Sequence, residues 1–293
     1  MIRRFMNALV ESQQGWADPF GEWSQKVLHA IWGPIRFLKD FLHGTWLGHA
    51  LHPALTDIPI GAFIGAFVLD VWTMGCASCT GIRTASDVVI AVGLLGMLGA
   101  IATGLADYTD TDTKPARGYA TLHGLLMLLA FVLYAISLWI RANQPAAAER
   151  TVPVWLAIVG LGIIVFSSYL GGDLVYLMGN MVGRHAFRSF GTKWVPLDVT
   201  AFAENAPTKV RAGAQSLVVV RRGEQLFALH DVCAHAGCNL SEGTVVGDAI
   251  ECGCHGSRFR LADGHVVGGP STFDQPRYEV RSAEGKVEVR HAQ

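Results

Sequence analysis

The chain has 293 residues, 51% of them hydrophobic and 16% charged, with a mean hydropathy of +0.33 and a formal net charge of −1. That balance is too apolar for a soluble enzyme of this length, so a lipid bilayer is an expected partner. With no basic stripe, nucleic acid is excluded as one. The chain opens with Arg3-Arg4-Phe5, but only a few apolar residues follow before Glu11, too few for the core of an export signal, and no cleaved signal is expected. From Phe20 to Trp46, aromatic residues (Trp23, Trp32, Phe37, Phe41, Trp46) alternate with Lys26, Arg36 and Lys39. This suits an N-terminal interfacial segment over residues 1–46, with a helix packed under the C-terminal domain as the competing reading.

Four apolar runs follow, each long enough for the roughly 20 residues that a hydrocarbon core requires. They extend approximately from Ile58 to Met74, Val88 to Ala106, Tyr119 to Ile140 and Val154 to Met178. They define a four-helix transmembrane domain over 47–183. Four spans put both ends of this domain on one side. That side carries Arg36, Lys39, Lys114, Arg117, Arg184, Arg188 and Lys193, against Arg83, Arg141 and Arg150 on the other. The positive-inside rule then places the C-terminal domain in the cytoplasm. His49, His52, Asp57, Asp107, Tyr108, His123, Asp173 and Tyr176 fall at the helix ends of that same side, and Cys76-Ala-Ser-Cys79 lies in a loop on the other, where a plain loop disulfide is expected.

Beyond a linker at 184–192 the pattern changes to short alternating β-like segments such as Leu217 to Val220, and residues 193–293 read as an all-β domain. The fold class is therefore α+β: a four-helix transmembrane bundle followed by a compact β domain. The β domain holds Cys233-Ala-His235-Ala-Gly237-Cys238 and, after an interval of sixteen residues from His235, Cys252-Gly-Cys254-His255-Gly256-Ser257-Arg-Phe259. Two loops that each offer one thiolate and one imidazole make the donor set of a [2Fe-2S] centre with mixed ligands. Two Cys and two His would also satisfy zinc, but Gly237, Gly243, Gly256 and Gly268-Gly269-Pro270 suit tight loops over a compact cluster.

Over roughly its last hundred residues the sequence resembles the Rieske family. The resemblance implies a [2Fe-2S] cluster with Cys233 and Cys252 on the inner iron and His235 and His255 on the outer one. It also implies a disulfide between Cys238 and Cys254, as in the Rieske subunits of quinol-oxidising complexes, and a hydrogen bond from Ser257 that tunes the cluster. High-potential members have Tyr where this chain has Phe259, which implies an intermediate potential.

The stretch His52-Pro-Ala-Leu-Thr56-Asp57-Ile-Pro59-Ile-Gly61, with Gly104, Asp107-Tyr108, His123 and Gly172-Asp-Leu-Val-Tyr176, resembles a bacterial four-helix membrane family of unknown function. That implies a multi-pass protein of the bacterial inner membrane. His52 and His123 are candidates for the axial imidazoles of a haem b, for a quinone pocket, or for a polar network with Asp57 and Asp107. These readings converge on an electron carrier rather than a stand-alone enzyme, passing single electrons between a membrane donor (quinol or haem) and a redox partner protein. The alternative is a Rieske subunit of a quinol-oxidising respiratory complex. A Rieske oxygenase is not expected, because after the motif only His265 and His291 remain to build a site of two His and one carboxylate.

Overall fold

The structure is a computed structural model and describes residues 2–76, 78–145, 148–186, 192–283 and 285–292. Arg188, which counts in the charge asymmetry, and the rest of 187–191 in the linker lie outside the described residues. The chain divides into two units, one of residues 1–35 and 51–180, the other of residues 36–50 and 181–293. The N-terminal segment is therefore shared between the units, with its split at Ile35/Arg36.

In the first unit, α1 (Ile2–Glu11) and α2 (Gln14–Trp32) precede four long helices: α4 (Leu51–Trp72), α5 (Thr80–Tyr108), α6 (Lys114–Ala142) and α7 (Thr151–Gly172). α7 ends in a π turn over Asp173–Leu177. At 1.5 Å per residue the four helices are each about 30 Å or longer, enough to cross a bilayer. They are membrane helices by length and composition. α5 packs on α4 and α6, and α7 on α6 and α4, so α4 and α6 stand on opposite corners of the bundle and meet only through long side chains. Phe63 of α4 stacks on Tyr134 of α6, with ring centroids 3.7 Å apart. Small residues make this possible: a Cβ on Gly93 would lie 2.5 Å from the Phe63 ring, and one on Gly160 would lie 2.9 Å from Tyr134. α2 covers one end, where Arg117 pairs with Asp18 at 2.7 Å and Gln25 donates to the carbonyls of Tyr108 and Thr111.

At the end nearest the Cys76–Cys79 loop, which is closed by a disulfide, the bundle holds an ion network that its apolar runs conceal. Arg141, with a fully buried side chain, makes two bonds to Asp70 at 2.6 and 2.8 Å, Ser86 donates to the same carboxylate, and Arg150 binds Asp87 at 2.7 Å. A charge in this position is tolerated only with its partner.

The second unit contains α3 (Arg36–His43), a short turn at Thr45–Leu47 and, among the described residues, the strands β1 (Val195–Pro196), β2 (Thr208–Ala212), β3 (Gln215–Arg222), β4 (Gln225–His230), β5 (Thr244–Val246), β6 (Ala249–Glu251), β7 (Arg258–Arg260), β8 (Val266–Gly268), β9 (Arg277–Ala283) and β10 (Lys286–His291). A six-stranded antiparallel sheet has the order β1-β10-β9-β4-β3-β2, and a four-stranded sheet the order β5-β6-β7-β8. β3 (Gln215–Arg222) explains how they join. Leu217 and Val219 enter a core with Val210, Tyr278 and Val289, whereas Val218 and Val220 enter a second core with Leu240, Ile250 and Phe259. The Leu217–Val220 run is therefore continuously apolar rather than alternating, because β3 is buried on both faces.

Candidate metal centre

Two loops of one backbone design rise from the second unit. The first connects β4 (Gln225–His230) to β5 (Thr244–Val246), and the second connects β6 (Ala249–Glu251) to β7 (Arg258–Arg260). In the first, the Cys233 amide donates to the Cys238 carbonyl at 2.7 Å and the Gly237 amide to the Cys233 carbonyl at 3.1 Å. In the second, Cys252 donates to Ser257 at 2.8 Å and Gly256 to Cys252 at 3.0 Å. Gly237 and Gly256 have φ of +91° and +75°, a backbone region that side chains disfavour, and these turns carry each cysteine into the interior.

Cys233 and Cys252 are buried and their thiols hydrogen-bond to one another. The amides of His235 and Ala236 are directed at the first sulfur, and those of Cys254 and His255 at the second. The hydrogen bond from Cys233, then these amides, hold the Cys252 thiol down at about 6 against the effect of burial. The same shared proton, followed by burial, pushes Cys233 up. The thiolate is the form that ligates metal, and the proton shared with Cys233 favours it at Cys252. His235 and His255 are only half-buried, with ring centroids 5.0 Å apart and planes at 80°. Two inner sulfurs, two outer imidazoles and amides aimed at the sulfurs fit a [2Fe-2S] cluster with mixed ligands.

The structure joins Cys238 to Cys254 by a disulfide that links the two loops. Their sulfurs and Cys252 Sγ lie within 4.8 Å of one another, but disulfide sulfurs offer no thiolate, so these three cysteines are not an ion site. Ser257 is fully buried, and its Oγ accepts the Ser271 amide at 3.1 Å, which leaves its own proton to donate. A third loop passes over the second at Gly269 (φ +83°), where a Cβ would overlap the Gly256 carbonyl and lie 2.5 Å from Ser257 Cα. Residues of the 36–50 segment hold these loops from outside: Arg36 donates to the Gly256 carbonyl at 2.8 Å, and Thr45 to the Gly269 carbonyl at 2.7 Å.

The sequence reading missed two residues that position the first loop. Buried Gln275 accepts the Ala234 amide at 2.9 Å and donates to the Val232 carbonyl at 2.7 Å. Buried Asp231 accepts from the Ser241 amide and the Ser216 hydroxyl. Both lie outside the strands, Asp231 just after β4 and Gln275 two residues before Arg277, so no strand periodicity marks them.

In the first unit, His52 and His123 come together with ring centroids 6.4 Å apart. Their Nδ1 atoms meet the carbonyls of Ala100 and Ser167, at 2.8 and 2.9 Å, rather than Asp57 or Asp107. Asp57 is turned outward on α4, away from both rings. Tyr108 bonds Ser24 and Thr121, Tyr176 is 90% exposed, and His49 belongs to the other unit.

The family model for the Rieske [2Fe-2S] domain matches residues 193–279, and that for a predicted membrane protein family, DUF2231, matches residues 48–184. Ferredoxin CarAc of Metapseudomonas resinovorans is 39% identical over 97 residues, which is 32% of this chain and 91% of that protein. The anthranilate 1,2-dioxygenase ferredoxin subunit of Burkholderia cepacia is 36% identical over 98 residues, 33% and 91% of the two chains. The cytochrome b6-f complex iron-sulfur subunit of Chlorobaculum tepidum is 34% identical over 73 residues, 25% of this chain and 39% of that one. Among solved structures, the oxygenase–ferredoxin complex of carbazole 1,9a-dioxygenase aligns with 34% of this chain and 94% of the matched one, at 35% identity and a TM-score of 0.31.

Proposed function

Because this chain belongs to the Rieske [2Fe-2S] family, we propose that it is a membrane-anchored electron carrier that moves single electrons between a membrane donor, a quinol in this reading, and a redox partner protein. A bound [2Fe-2S] cluster supplies reversible one-electron chemistry. The residues that would hold it are Cys233 and Cys252 on the inner iron and His235 and His255 on the outer iron. The observation that carries the reading is the pair of matched loops, which bring two buried, hydrogen-bonded thiols together with two half-buried imidazoles. The buried thiols keep their sulfurs from water, the amides stabilise thiolate charge, and Ser257 adds a donor from the interior. His235 and His255 are the exposed edge through which a partner docks and electrons pass. In anaerobic stopped-flow mixing with a quinol, the full-length chain is expected to accept one electron per molecule and return it to an oxidant with no turnover of a small substrate. Stoichiometric product formation from a small substrate would refute a carrier.

The second reading, a Rieske subunit of a quinol-oxidising complex, is favoured by the Cys238–Cys254 disulfide and by the similarity to the b6-f subunit. Native electrophoresis of solubilised membranes separates the two, since a subunit migrates in a larger assembly of fixed stoichiometry. We place the Rieske unit in the cytoplasm. Arg83, Arg141 and Arg150, the basic residues on the opposite side, are 7%, 2% and 8% exposed and are engaged inside the bundle, which strengthens the charge asymmetry. The disulfide argues for the oxidising side. Labelling of a cysteine introduced at exposed Glu224 with an impermeant reagent in intact cells decides: labelling before lysis overturns the cytoplasmic placement.

A further inference from the structure

We propose that His52 and His123 are the two axial ligands of a haem held in the core of the membrane bundle, a second redox centre in addition to the cluster. The inference stands apart from the reading of the cluster and depends on none of its ligands.

The site is built from all four helices with a near-twofold pattern. His52 of α4 and His123 of α6 come from opposite corners and meet across the bundle. His52 Nδ1 donates to the carbonyl of Ala100 on α5, and His123 Nδ1 donates to the carbonyl of Ser167 on α7. A carbonyl only accepts, so both rings are fixed as the tautomer with a free lone pair on Nε2, the form and orientation a metal-ligating histidine takes. Neither Nε2 has a hydrogen bond among the described residues. Four residues beyond each acceptor stands a glycine on which the ring rests. A Cβ on Gly104 would lie 2.8 Å from His52 Cε1, and one on Gly171 would lie 3.2 Å from His123 Cε1. A hydroxyl repeats as well, since Thr103 Oγ1 and Ser167 Oγ approach the two Nδ1 atoms at 3.4 and 2.9 Å. Two imidazoles that merely tie helices together would need none of this repetition.

Geometry and donor count identify the ligand. An ion held in line between two imidazole nitrogens, at about 2.0–2.1 Å from each, places the ring centroids roughly 6.3 Å apart. The rings here are 6.4 Å apart, with planes at 84°. A bare ion in this apolar bundle would need two or more further protein donors. Haem iron brings four nitrogens of its own and takes its axial ligands from the protein, and two inward-facing histidines on facing helices of a bundle match that requirement.

The test is the reduced-minus-oxidised absorption spectrum and haem content of the full-length chain, purified in detergent from cells supplied with a haem precursor, together with a hemin titration of the same preparation. The expected result is one haem per chain with the sharp bands of a low-spin, six-coordinate b-type centre. His52→Ala and His123→Ala each lose those bands, and imidazole added to either variant restores them. Ser167→Ala, which spares the carbonyl but removes the hydroxyl, binds hemin about tenfold more weakly. His255→Ala retains the full haem spectrum, so loss of the cluster and loss of this site are read separately. The proposal is overturned if the wild-type chain contains no haem and takes up none from added hemin, or if both alanine variants keep the wild-type haem spectrum.

Discussion

Replacing Ser257 with alanine should lower the reduction potential of the Rieske centre. The side chain is fully buried, and its oxygen accepts the Ser271 amide, so its proton is the donor available to the cluster side of the loop. A hydrogen bond to a charged acceptor contributes about 1.5–3 kcal/mol, and only the part that strengthens when the acceptor gains an electron moves the potential. If that part is about 1 kcal/mol, the one-electron shift is roughly 40 mV downward. The substitution also strands the Ser271 amide, so the variant must first be shown to keep the wild-type EPR line shape, as proof that the loop still folds. Redox titration followed by EPR or circular dichroism then gives the potential. An unchanged or higher potential in a variant with the native signal refutes the assignment of Ser257 as a donor to the cluster.

Other perturbations test the remaining parts. Phe259→Tyr places a hydroxyl in the core shared with Cys233 and Cys252, and it is expected to raise the potential by a similar amount, read in the same titration. The Cys238→Ser, Cys254→Ser double variant opens a loop of sequence separation 16 and should cost the Rieske unit about 3 kcal/mol, seen as a lower midpoint in thermal bleaching of the cluster absorbance. Asp70→Ala leaves Arg141 only its longer contact with Asp87, at 3.3 Å and shared with Arg150, and a loss of about 3 kcal/mol should appear as a lower thermal midpoint in detergent, with cluster spectra unaltered.

The candidate donors were legible in the chain because they lie in two short loops of characteristic spacing, and four apolar runs mark the spans with equal clarity. What escaped the reading depends on partners far apart in sequence. Gln275 positions Ala234 from forty-one residues away, and Asp70 is neutralised by Arg141 from a helix two spans later. Residues 36–50 have the aromatic-basic pattern of an interfacial segment, yet Arg36 and Thr45 bind loop carbonyls of the Rieske unit, a preference that no local pattern records. His52 and His123 were visible as candidates, but their acceptors were not, because helical carbonyls carry no side-chain signature. The Leu217–Val220 run departs from the alternation expected of it because each face of β3 meets a core of its own.

The most direct test of the central claim is EPR of the reduced, full-length chain grown with 15N-histidine, compared with the same sample of His255→Ala. A cluster held by Cys233, His235, Cys252 and His255 predicts a Rieske signal with hyperfine coupling to two histidine nitrogens in the wild type and its disappearance in the variant. A signal without nitrogen coupling, or one that survives His255→Ala unchanged, would contradict the account.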